Sequence, residues 1–351
     1  MESRGSCKWT RNILNELDIN PKIIAQAEKA GYVSASSILG ASQAELEMKL
    51  RLSSFHITNF LDAVVSYVLP KKLTAWDLSQ AGEEEPKYIT TGCQHLDDFL
   101  GGGVPVRGIT EVTGQSGSGK TQLTLQLSLS AQLPPACGGL GKGVVYIGTE
   151  STFPVTRLQQ MIKNFKDKYS QGPASYTDNI FVHHIPDMDT LVDCVRYQLP
   201  SLLSQHPIGL VVIDSVASPF RVEESNFENK DLLHTLGYKL HHMAETLGIA
   251  VVAINQVRAA MDNDDLYGHQ GSVVPTLGLS WANLVTTRLM ISRTGSYVLG
   301  KTEGGSKSAQ KGSNKMVVQF NIRKLEVIFC PWLEKKSCHF VVTNKGIEDV
   351  E

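Results

Sequence analysis

The stretch that decides the fold is Gly114-Gln-Ser-Gly-Ser-Gly-Lys-Thr121, hereafter the P-loop. It fits the phosphate-binding pattern G-x-x-x-x-G-K followed by serine or threonine. The apolar, strand-like run 109–113 precedes it, and the amphipathic segment 122–133 follows it. Glycines allow consecutive backbone N–H groups to surround phosphate oxygens, and a helix N-terminus adds partial positive charge. The order strand, loop, helix therefore predicts a site for the phosphates of a nucleotide.

Two side chains of the P-loop have separate predicted roles. Lys120 is expected to bridge the β- and γ-phosphates, and the Thr121 hydroxyl is expected to bind Mg²⁺. The pattern thus predicts ATP and Mg²⁺ as ligands. The predicted ATP-binding residues of the loop are Gly114, Gln115, Ser116, Gly117, Ser118, Gly119, Lys120 and Thr121.

Two carboxylates stand at the ends of other apolar runs. Asp214 ends the run 210–214, and a carboxylate at such a strand tip can support Mg²⁺ through a bound water. An Asp-Ser pair also commonly begins a turn, so local capping is the alternative for Asp214. Glu150 follows the run 144–149, where a glutamate can act as general base toward water. A solvated loop charge is the alternative for Glu150.

Short β-branched runs alternate with amphipathic stretches from residue 109 onward. This alternation predicts an α/β fold with a mostly parallel sheet covered by helices. The segment 301–315, rich in Gly, Ser and Lys, is expected to be a mobile loop. The predicted strands are 109–113, 144–149, 180–185, 210–214, 249–254, 285–291, 316–329 and 339–342.

The sequence predicts three regions. Residues 1–69 are expected to form a small all-helical domain, because apolar residues recur at helical spacing along 55–69. A partner-docking or spacer bundle and a DNA-binding hairpin both fit this domain. Residues 70–87 form the predicted linker, whose apolar patch 73–78 can pack on its own domain or dock on another subunit. Residues 88–351 form the predicted α/β core.

Composition excludes some classes of function. The net charge of −2 and the 19% content of charged residues disfavour a broad basic face that holds DNA unaided. Six scattered cysteines without a CxxC pair predict reduced thiols in a cytosolic or nuclear compartment. We expect no membrane association, because the sequence has neither a signal-peptide pattern nor an apolar run of about 20 residues.

Several short motifs of this sequence, here called anchors, together resemble those of the eukaryotic RecA-like recombinases. The resemblance covers nearly the whole chain. Residues 275–281, Pro-Thr-Leu-Gly-Leu-Ser-Trp, follow the pattern P-x-L-G-x-x-W of the recombinase paralogues. The strand-exchange recombinase has a Gly-Gly segment there. The resemblance implies a RecA-like P-loop ATPase core for residues 88–351. The other anchors are 89–92, 96–103, the P-loop, 146–153, the strand of Asp214, 254–257 and 286–289.

The resemblance implies further roles at four positions. Glu150 matches the catalytic glutamate, and Arg157 matches the arginine that stacks on the adenine ring. Gln256 matches the glutamine that senses the γ-phosphate and signals to a DNA-facing loop. Pro331 matches the proline that covers a neighbour's ATP, which implies a nucleotide between subunits. The implied catalytic residues are Lys120, Glu150 and Gln256, and the implied Mg²⁺ ligands are Thr121 and Asp214.

The sequence departs from the family pattern in two ways. Arg51 replaces the glycine of the N-terminal helical hairpin. Its side chain blocks close approach of backbone to phosphate, although its charge can still attract phosphate. Phe329 replaces an aspartate just before Pro331, which argues against a uniform filament of this chain.

Two loops are expected to face DNA, and both are acidic. Residues 219–230 contain Arg221, and residues 258–275 contain Arg258, each among several carboxylates. Because carboxylates repel phosphate, each loop alone is expected to contribute little affinity. Arg221 and Arg258 can each anchor a phosphate or lie on a solvated surface.

The combined prediction is an ATP-binding paralogue acting in homologous recombination and double-strand break repair, in the nucleus with a cytoplasmic pool. The expected partners are a related RecA-like paralogue of the C type, in a heterodimer with ATP near the interface, and the recombinase filament. Single-stranded or branched DNA is expected to be reached through the complex. The alternatives are an ATP-switched scaffold with negligible turnover and a self-sufficient strand-exchange recombinase. The resemblance implies a slow DNA-dependent ATPase, and whether the chain is an enzyme stays open.

Overall fold

A computed structural model describes residues 9–69, 74–80, 87–220, 227–259, 273–302 and 316–350. The chain divides into two compact units, Met1–Glu84 and Glu85–Glu351. This division falls inside the predicted linker 70–87. Within that linker a short helix spans Ala75–Gln80, and its Trp76 side chain is 71% exposed. The two alternatives for the patch 73–78 remain predictions.

The described part of the N-terminal unit is helical. Polar side chains begin its helices: Asn20 accepts a hydrogen bond from the Lys22 N–H, and Ser42 accepts one from the Glu45 N–H. Fully buried side chains, among them Leu46 and Phe60, form a core of its own. Its helices are a 3₁₀ turn at Leu14–Glu16, α1 Pro21–Lys29, α2 Ala35–Leu39, α3 Gln43–Leu50, α4 Ser54–Val68 and α5 Ala75–Gln80.

Arg51 ends α3 in the left-handed region, with φ 54° and ψ 43°. Among the described residues it is the only one other than glycine with a positive φ. Glycine adopts this conformation without the steric cost that a Cβ imposes. The glycine that the resemblance implies at this position would therefore suit the backbone of the turn better than arginine does.

Replacing Arg51 by glycine is expected to stabilise the N-terminal unit by about 1 kcal/mol, because the left-handed penalty disappears. Amide hydrogen exchange of α3 and α4 in the full chain should slow roughly fivefold. Arg51→Ala is the matched control, since it removes the charge and keeps the Cβ. Equal slowing in both variants would show that the charge, not the backbone, destabilises this turn.

Within the described residues, nine strands form the central sheet of the second unit, in the order β13-β12-β11-β10-β3-β7-β6-β4-β5. The strands from β10 to β5 pair in parallel, and those from β13 to β10 pair antiparallel. The strands are β1 Tyr88–Ile89, β2 Val104–Pro105, β3 Ile109–Thr113, β4 Gly143–Gly148, β5 Ile180–His184, β6 Ile208–Asp214, β7 Ala250–Asn255, β8 Val257–Ala259, β9 Val273–Pro275, β10 Thr287–Thr302, β11 Met316–Phe329, β12 Ser337–Thr343 and β13 Gly346–Asp349.

Helices cover both faces of this sheet. Side chains alternate along β4. Tyr146 joins one apolar cluster with residues of α7 (Lys120–Ser130) and α8 (Val155–Lys168), and Ile147 joins the other with residues of α11 (Phe227–Leu247). A sheet buried on both faces is typical of parallel strands. The predicted α/β fold class is confirmed. The helices are α6 Gln94–Leu100, α7 Lys120–Ser130, α8 Val155–Lys168, α9 Met188–Asp193, α10 Leu199–Gln205, α11 Phe227–Leu247 and α12 Gly278–Ala282.

The structure also differs from the sequence predictions. The helix after the P-loop begins at Lys120 rather than 122, inside the motif itself. Strand β10 extends to Thr302, beyond the predicted end at 291, so the predicted loop 301–315 begins as strand. The remainder of that loop, 303–315, lies outside the described residues. None of the described helices has both the length and the apolar character needed to cross a bilayer.

Candidate nucleotide-binding site

A cleft of about 390 Å³ opens beside the P-loop, where the carboxyl ends of the parallel strands meet. Parallel strands bring residues that follow different strands to one edge of a sheet, and ligands commonly bind at such an edge. The structure therefore brings together eight of the predicted site residues, which come from four separate segments of the sequence. The cleft is lined by Ser116, Gly117, Gly119, Lys120, Thr121, Gln122, Glu150, Asp214, Ser215, Ile254, Gln256, Arg323 and Val342.

The glycines of the P-loop are needed for its shape. A Cβ at Gly114 would lie 2.2 Å from the carbonyl oxygen of Ile291 on β10, too close for any side chain. Gly119 has a φ of +113°, and a Cβ there would lie 3.2 Å from the Arg323 side chain. Backbone N–H groups can approach a phosphate closely only where such side chains are absent.

Lys120 lies within the P-loop, with 8% of its surface exposed. Its Nζ donates hydrogen bonds to the carbonyl oxygens of Gly114, at 2.7 Å, and Gln115, at 2.9 Å. These bonds hold the ammonium group beside the cleft, where a phosphate oxygen is a stronger acceptor than a carbonyl. Gly114, Gln115 and Ser118 do not themselves line the cleft. Their predicted contacts with nucleotide stay predictions.

Asp214 and Thr121 form an oxygen-donor pair. The Thr121 hydroxyl and the Tyr146 hydroxyl each donate to Oδ2 of Asp214 at 2.8 Å. Burial raises the pKa of the Asp214 carboxyl, and these two hydrogen bonds oppose the shift. A hydroxyl beside a carboxylate is the hard-oxygen chemistry that Mg²⁺ prefers. The residues present therefore fit Mg²⁺, and the Asp214 carboxylate points to the P-loop rather than to the following turn.

Tyr146 is a site residue that the sequence reasoning missed. Burial raises the pKa of its hydroxyl well above the ordinary value, and the nearby Asp214 charge raises it further. The hydroxyl therefore stays protonated and donates to the carboxylate. A tyrosine in the apolar run 144–149 was the available signal, because a buried tyrosine hydroxyl usually has a hydrogen-bond partner.

Glu150 contacts the predicted sensor glutamine. Gln256 Nε2 donates to Oε1 of Glu150, and the Ser215 hydroxyl donates to the same oxygen at 2.9 Å. Ser215 is itself held by Thr149, whose hydroxyl donates to the Ser215 carbonyl oxygen at 2.7 Å. The peptide bond between Asp214 and Ser215 is cis. Glu150 is thus a positioned carboxylate at the cleft wall.

A buried polar network lies behind Gln256. The side-chain oxygen of Asn255 accepts from the Gln256 N–H at 2.7 Å and from the Thr276 hydroxyl at 2.8 Å. Its Nδ2 donates to Oε1 of Glu111 at 2.7 Å, and Trp281 Nε1 donates to the same oxygen at 3.1 Å. Trp281 is the tryptophan of the paralogue pattern. The network therefore connects the cleft to the tryptophan of this pattern.

Glu111 forms a buried ion pair with Arg288. Arg288 Nε donates to Oε2 of Glu111, and their side chains are 5% and 0% exposed. The Arg288 guanidinium also lies 5.1 Å from the centre of the Phe329 ring. Phe329, the departure noted in the sequence, thus packs against this arginine instead of presenting a polar group. A charged residue inside the apolar strand 109–113 was the signal for this pair.

Arg157 is held beside the cleft by three elements. Its Nε donates to Gln122 Oε1 on α7 at 2.7 Å, and its Nη2 donates to the carbonyl oxygen of Thr343 at 2.7 Å. Its Nη1 donates to Gln160 on α8 and to the Asn344 carbonyl oxygen. These bonds fix the plane of the guanidinium, as stacking on a ring requires. The stacking itself stays a prediction.

Pro331 lies far from the cleft of its own chain. It is exposed in the turn after β11, whereas Arg323 of the same strand lines the cleft. The six residues from Arg323 to Phe329 span about 20 Å at the rise of an extended strand. A contact between Pro331 and nucleotide therefore requires a second chain.

The DNA-facing predictions are only partly covered by the structure. Arg221 lies outside the described residues. Arg258 belongs to β8 and pairs with Val274 of β9, but only its backbone is described. Both phosphate-anchoring roles stay predictions.

The sequence of the chain can now be compared with those of known proteins. The Rad51 family model matches residues 84–303, more than half of the chain. The chain belongs to the Rad51 family. It is 36% identical over 350 residues to the DNA repair protein XRCC3 of Bos taurus, which covers 95% of this chain and 97% of that relative. The predicted membership among the paralogues of this family is confirmed.

Two further relatives of this Rad51-family chain come from a plant and a yeast. It is 35% identical over 286 residues to the DNA repair protein XRCC3 homolog of Arabidopsis thaliana, covering 74% of this chain and 92% of that relative. It is 32% identical over 311 residues to the DNA repair protein rhp57 of Schizosaccharomyces pombe, covering 78% and 86%. The similarity to the bovine relative, which covers 95% of this chain, extends into the N-terminal unit as well as the core.

Proposed function

We propose that this chain is an ATP- and Mg²⁺-binding paralogue of the Rad51 family that acts in homologous recombination and double-strand break repair. The observation that carries the proposal is the single cleft lined by Lys120, Thr121, Glu150, Asp214 and Gln256. The names of its relatives, which are DNA repair proteins, support the biological setting.

Each side of the cleft has its own task in this proposal. The P-loop amides and Lys120 hold the phosphates, Arg157 stacks on the adenine, and Thr121 with Asp214 holds Mg²⁺. Bound Mg²⁺ supplies positive charge that offsets the charge of the phosphates.

Glu150 is the general base of the proposed slow ATPase. Its carboxylate accepts a proton from water, and the hydrogen bonds from Gln256 and Ser215 fix its orientation. Asn255 accepts hydrogen bonds from both Gln256 and Thr276, and Thr276 directly follows β9. A movement of Gln256 in the cleft can therefore be transmitted to the base of the second DNA-facing loop.

A heterodimer with a related paralogue of the C type is the proposed assembly. Pro331 lies about 20 Å along the sheet from its own cleft, so it can cover only a neighbour's nucleotide. Phe329 packs on Arg288 and presents no carboxylate to that neighbour. Contacts with the recombinase filament and with single-stranded or branched DNA are proposed to form through the complex, in the nucleus with a cytoplasmic pool.

Glu150→Gln separates a working ATPase from an ATP-switched scaffold. In the purified heterodimer we expect ATP turnover to fall at least roughly 100-fold, because an amide cannot accept the proton. ATP affinity should change less than about threefold, since the P-loop contacts remain. Turnover and nucleotide binding are measured on the same preparation.

Cells that lack the endogenous protein provide the matching functional test. Double-strand break repair should fail with Lys120→Ala and be impaired with Glu150→Gln. Full repair with Glu150→Gln beside failure with Lys120→Ala would establish the scaffold instead. Full repair with both variants would contradict any role for nucleotide.

A further inference from the structure

Arg323 lies in the nucleotide cleft, although it belongs to β11 and lies beyond the range 84–303 that matches the family model. Its Cδ and Nε lie 3.2 Å from the position that a Cβ would take at Gly119. The side chain therefore packs against the P-loop where Gly119 leaves room for it. Val342 of β12 lines the cleft beside it.

The two flanks of the cleft carry opposite charges. Glu150 and Asp214 stand at the ends of β4 and β6, on one side of the P-loop strand β3. Arg323 stands on β11, on the other side of β3. A ligand whose anionic part follows the P-loop and whose bound Mg²⁺ lies near Asp214 matches this separation of charge.

Within the described part of the chain, one buried N–H group of the Arg323 guanidinium has no hydrogen-bond acceptor. Its Nη1 donates to the Asn321 carbonyl oxygen at 3.0 Å, but its Nε is buried without a hydrogen-bond partner there. Arg293 lies directly opposite on β10, and like charges that face each other across strands are unfavourable. In the described ranges no carboxylate forms an ion pair with either arginine. An anion in the cleft would offset this repulsion and satisfy the Nε.

We propose that Arg323 binds the α- and β-phosphates of the nucleotide held by the P-loop of its own chain. Its positive charge approaches them from the β11 side of the cleft. Arg323 contacts the P-loop at Gly119, and the backbone N–H groups of such loops cradle the α- and β-phosphates. The residues suited to Mg²⁺ and the attacking water stand on the other flank. The inference rests on the proposed function and adds a binding residue to it.

Equilibrium titrations of Mg·ATP and Mg·ADP into the heterodimer test this assignment. Arg323→Met keeps an apolar stem against the P-loop at Gly119 and removes the charge. This substitution is expected to weaken the binding of both nucleotides about tenfold, because one charge-assisted hydrogen bond to phosphate is lost. Arg323→Lys should recover affinity to within about threefold of wild type, since it restores the charge without the planar group. Lys163→Ala, which removes an exposed cation of α8, is the control and should change affinity less than about twofold.

Each other outcome overturns a defined part of the proposal. Binding by Arg323→Met within twofold of wild type, with unchanged circular dichroism, would show that Arg323 does not contact nucleotide. Loss of affinity for Mg·ATP alone would place the contact at the γ-phosphate and contradict the assignment to the α- and β-phosphates. No recovery with Arg323→Lys would indicate a packing role. Absence of binding by the wild-type heterodimer would overturn the proposed function itself.

Discussion

Lys120→Ala is expected to weaken Mg·ATP binding at least roughly 100-fold while the chain stays folded. The Lys120 ammonium is buried within the P-loop and is held there by the Gly114 and Gln115 carbonyl oxygens. In that place it is shielded from water, so its attraction for phosphate is stronger than that of a surface lysine. Fluorescence titration with a labelled ATP analogue measures the loss.

The matched control for this variant is Lys163→Ala, which removes an exposed lysine of α8. Its affinity for Mg·ATP should remain within about twofold of wild type, because a distant solvated charge is screened. Circular dichroism should match wild type in both variants. Binding by Lys120→Ala within threefold of wild type would show that the P-loop does not hold the phosphates.

Glu111→Gln is expected to lower the free energy of unfolding of the core unit by about 3–5 kcal/mol. The substitution leaves Arg288 buried and positively charged without its carboxylate, and this uncompensated charge is the main cost. It also weakens the acceptor for Trp281 and Asn255. Denaturation in guanidinium chloride, followed by circular dichroism, measures the change in the free energy of unfolding.

Glu326→Gln serves as the control for the buried pair. Glu326 forms an ion pair with Lys324 on the same sheet, but their side chains are 38% and 36% exposed. Exposed pairs contribute less than about 1 kcal/mol, so this variant should unfold near the wild-type midpoint. Equal destabilisation by the two substitutions would contradict a special role for the buried network.

The sequence predicted those parts of the site that depend on a contiguous motif or on the alternation of strands and helices. The P-loop is contiguous in the sequence, although its helix begins at Lys120, two residues before the predicted start. Asp214 and Glu150 follow apolar strands, and parallel pairing brings such strand ends to one edge. Their meeting in one cleft therefore required only the fold class, which the alternation of strands and helices already indicated.

Other features of the structure depend on strand registers and backbone angles that cannot be read from the sequence. Arg323 reaches the cleft because β11 pairs with β10 in one register, and a shift by one residue would turn its side chain to the other face. Tyr146 became a partner of Asp214 only through the pairing of β4 with β6. The left-handed backbone of Arg51 was likewise hidden, because arginine gives no signal for a positive φ.

The paralogue pattern around Trp281 has a physical consequence in the structure. Trp281 is completely buried and donates its indole N–H to Glu111, the carboxylate that also holds Asn255 and Arg288. Through Asn255 the same network holds the backbone of Gln256, whose side chain contacts Glu150. The tryptophan of the pattern P-x-L-G-x-x-W therefore supports the wall of the cleft.

Calorimetric titration of ATP into the folded chain, alone and with a related paralogue, tests the nucleotide site most directly. We predict binding of one nucleotide per chain in the presence of Mg²⁺, and affinity at least about tenfold lower when the metal is chelated. Absence of ATP binding in both preparations, with Mg²⁺ present, would contradict the assignment of the cleft to ATP.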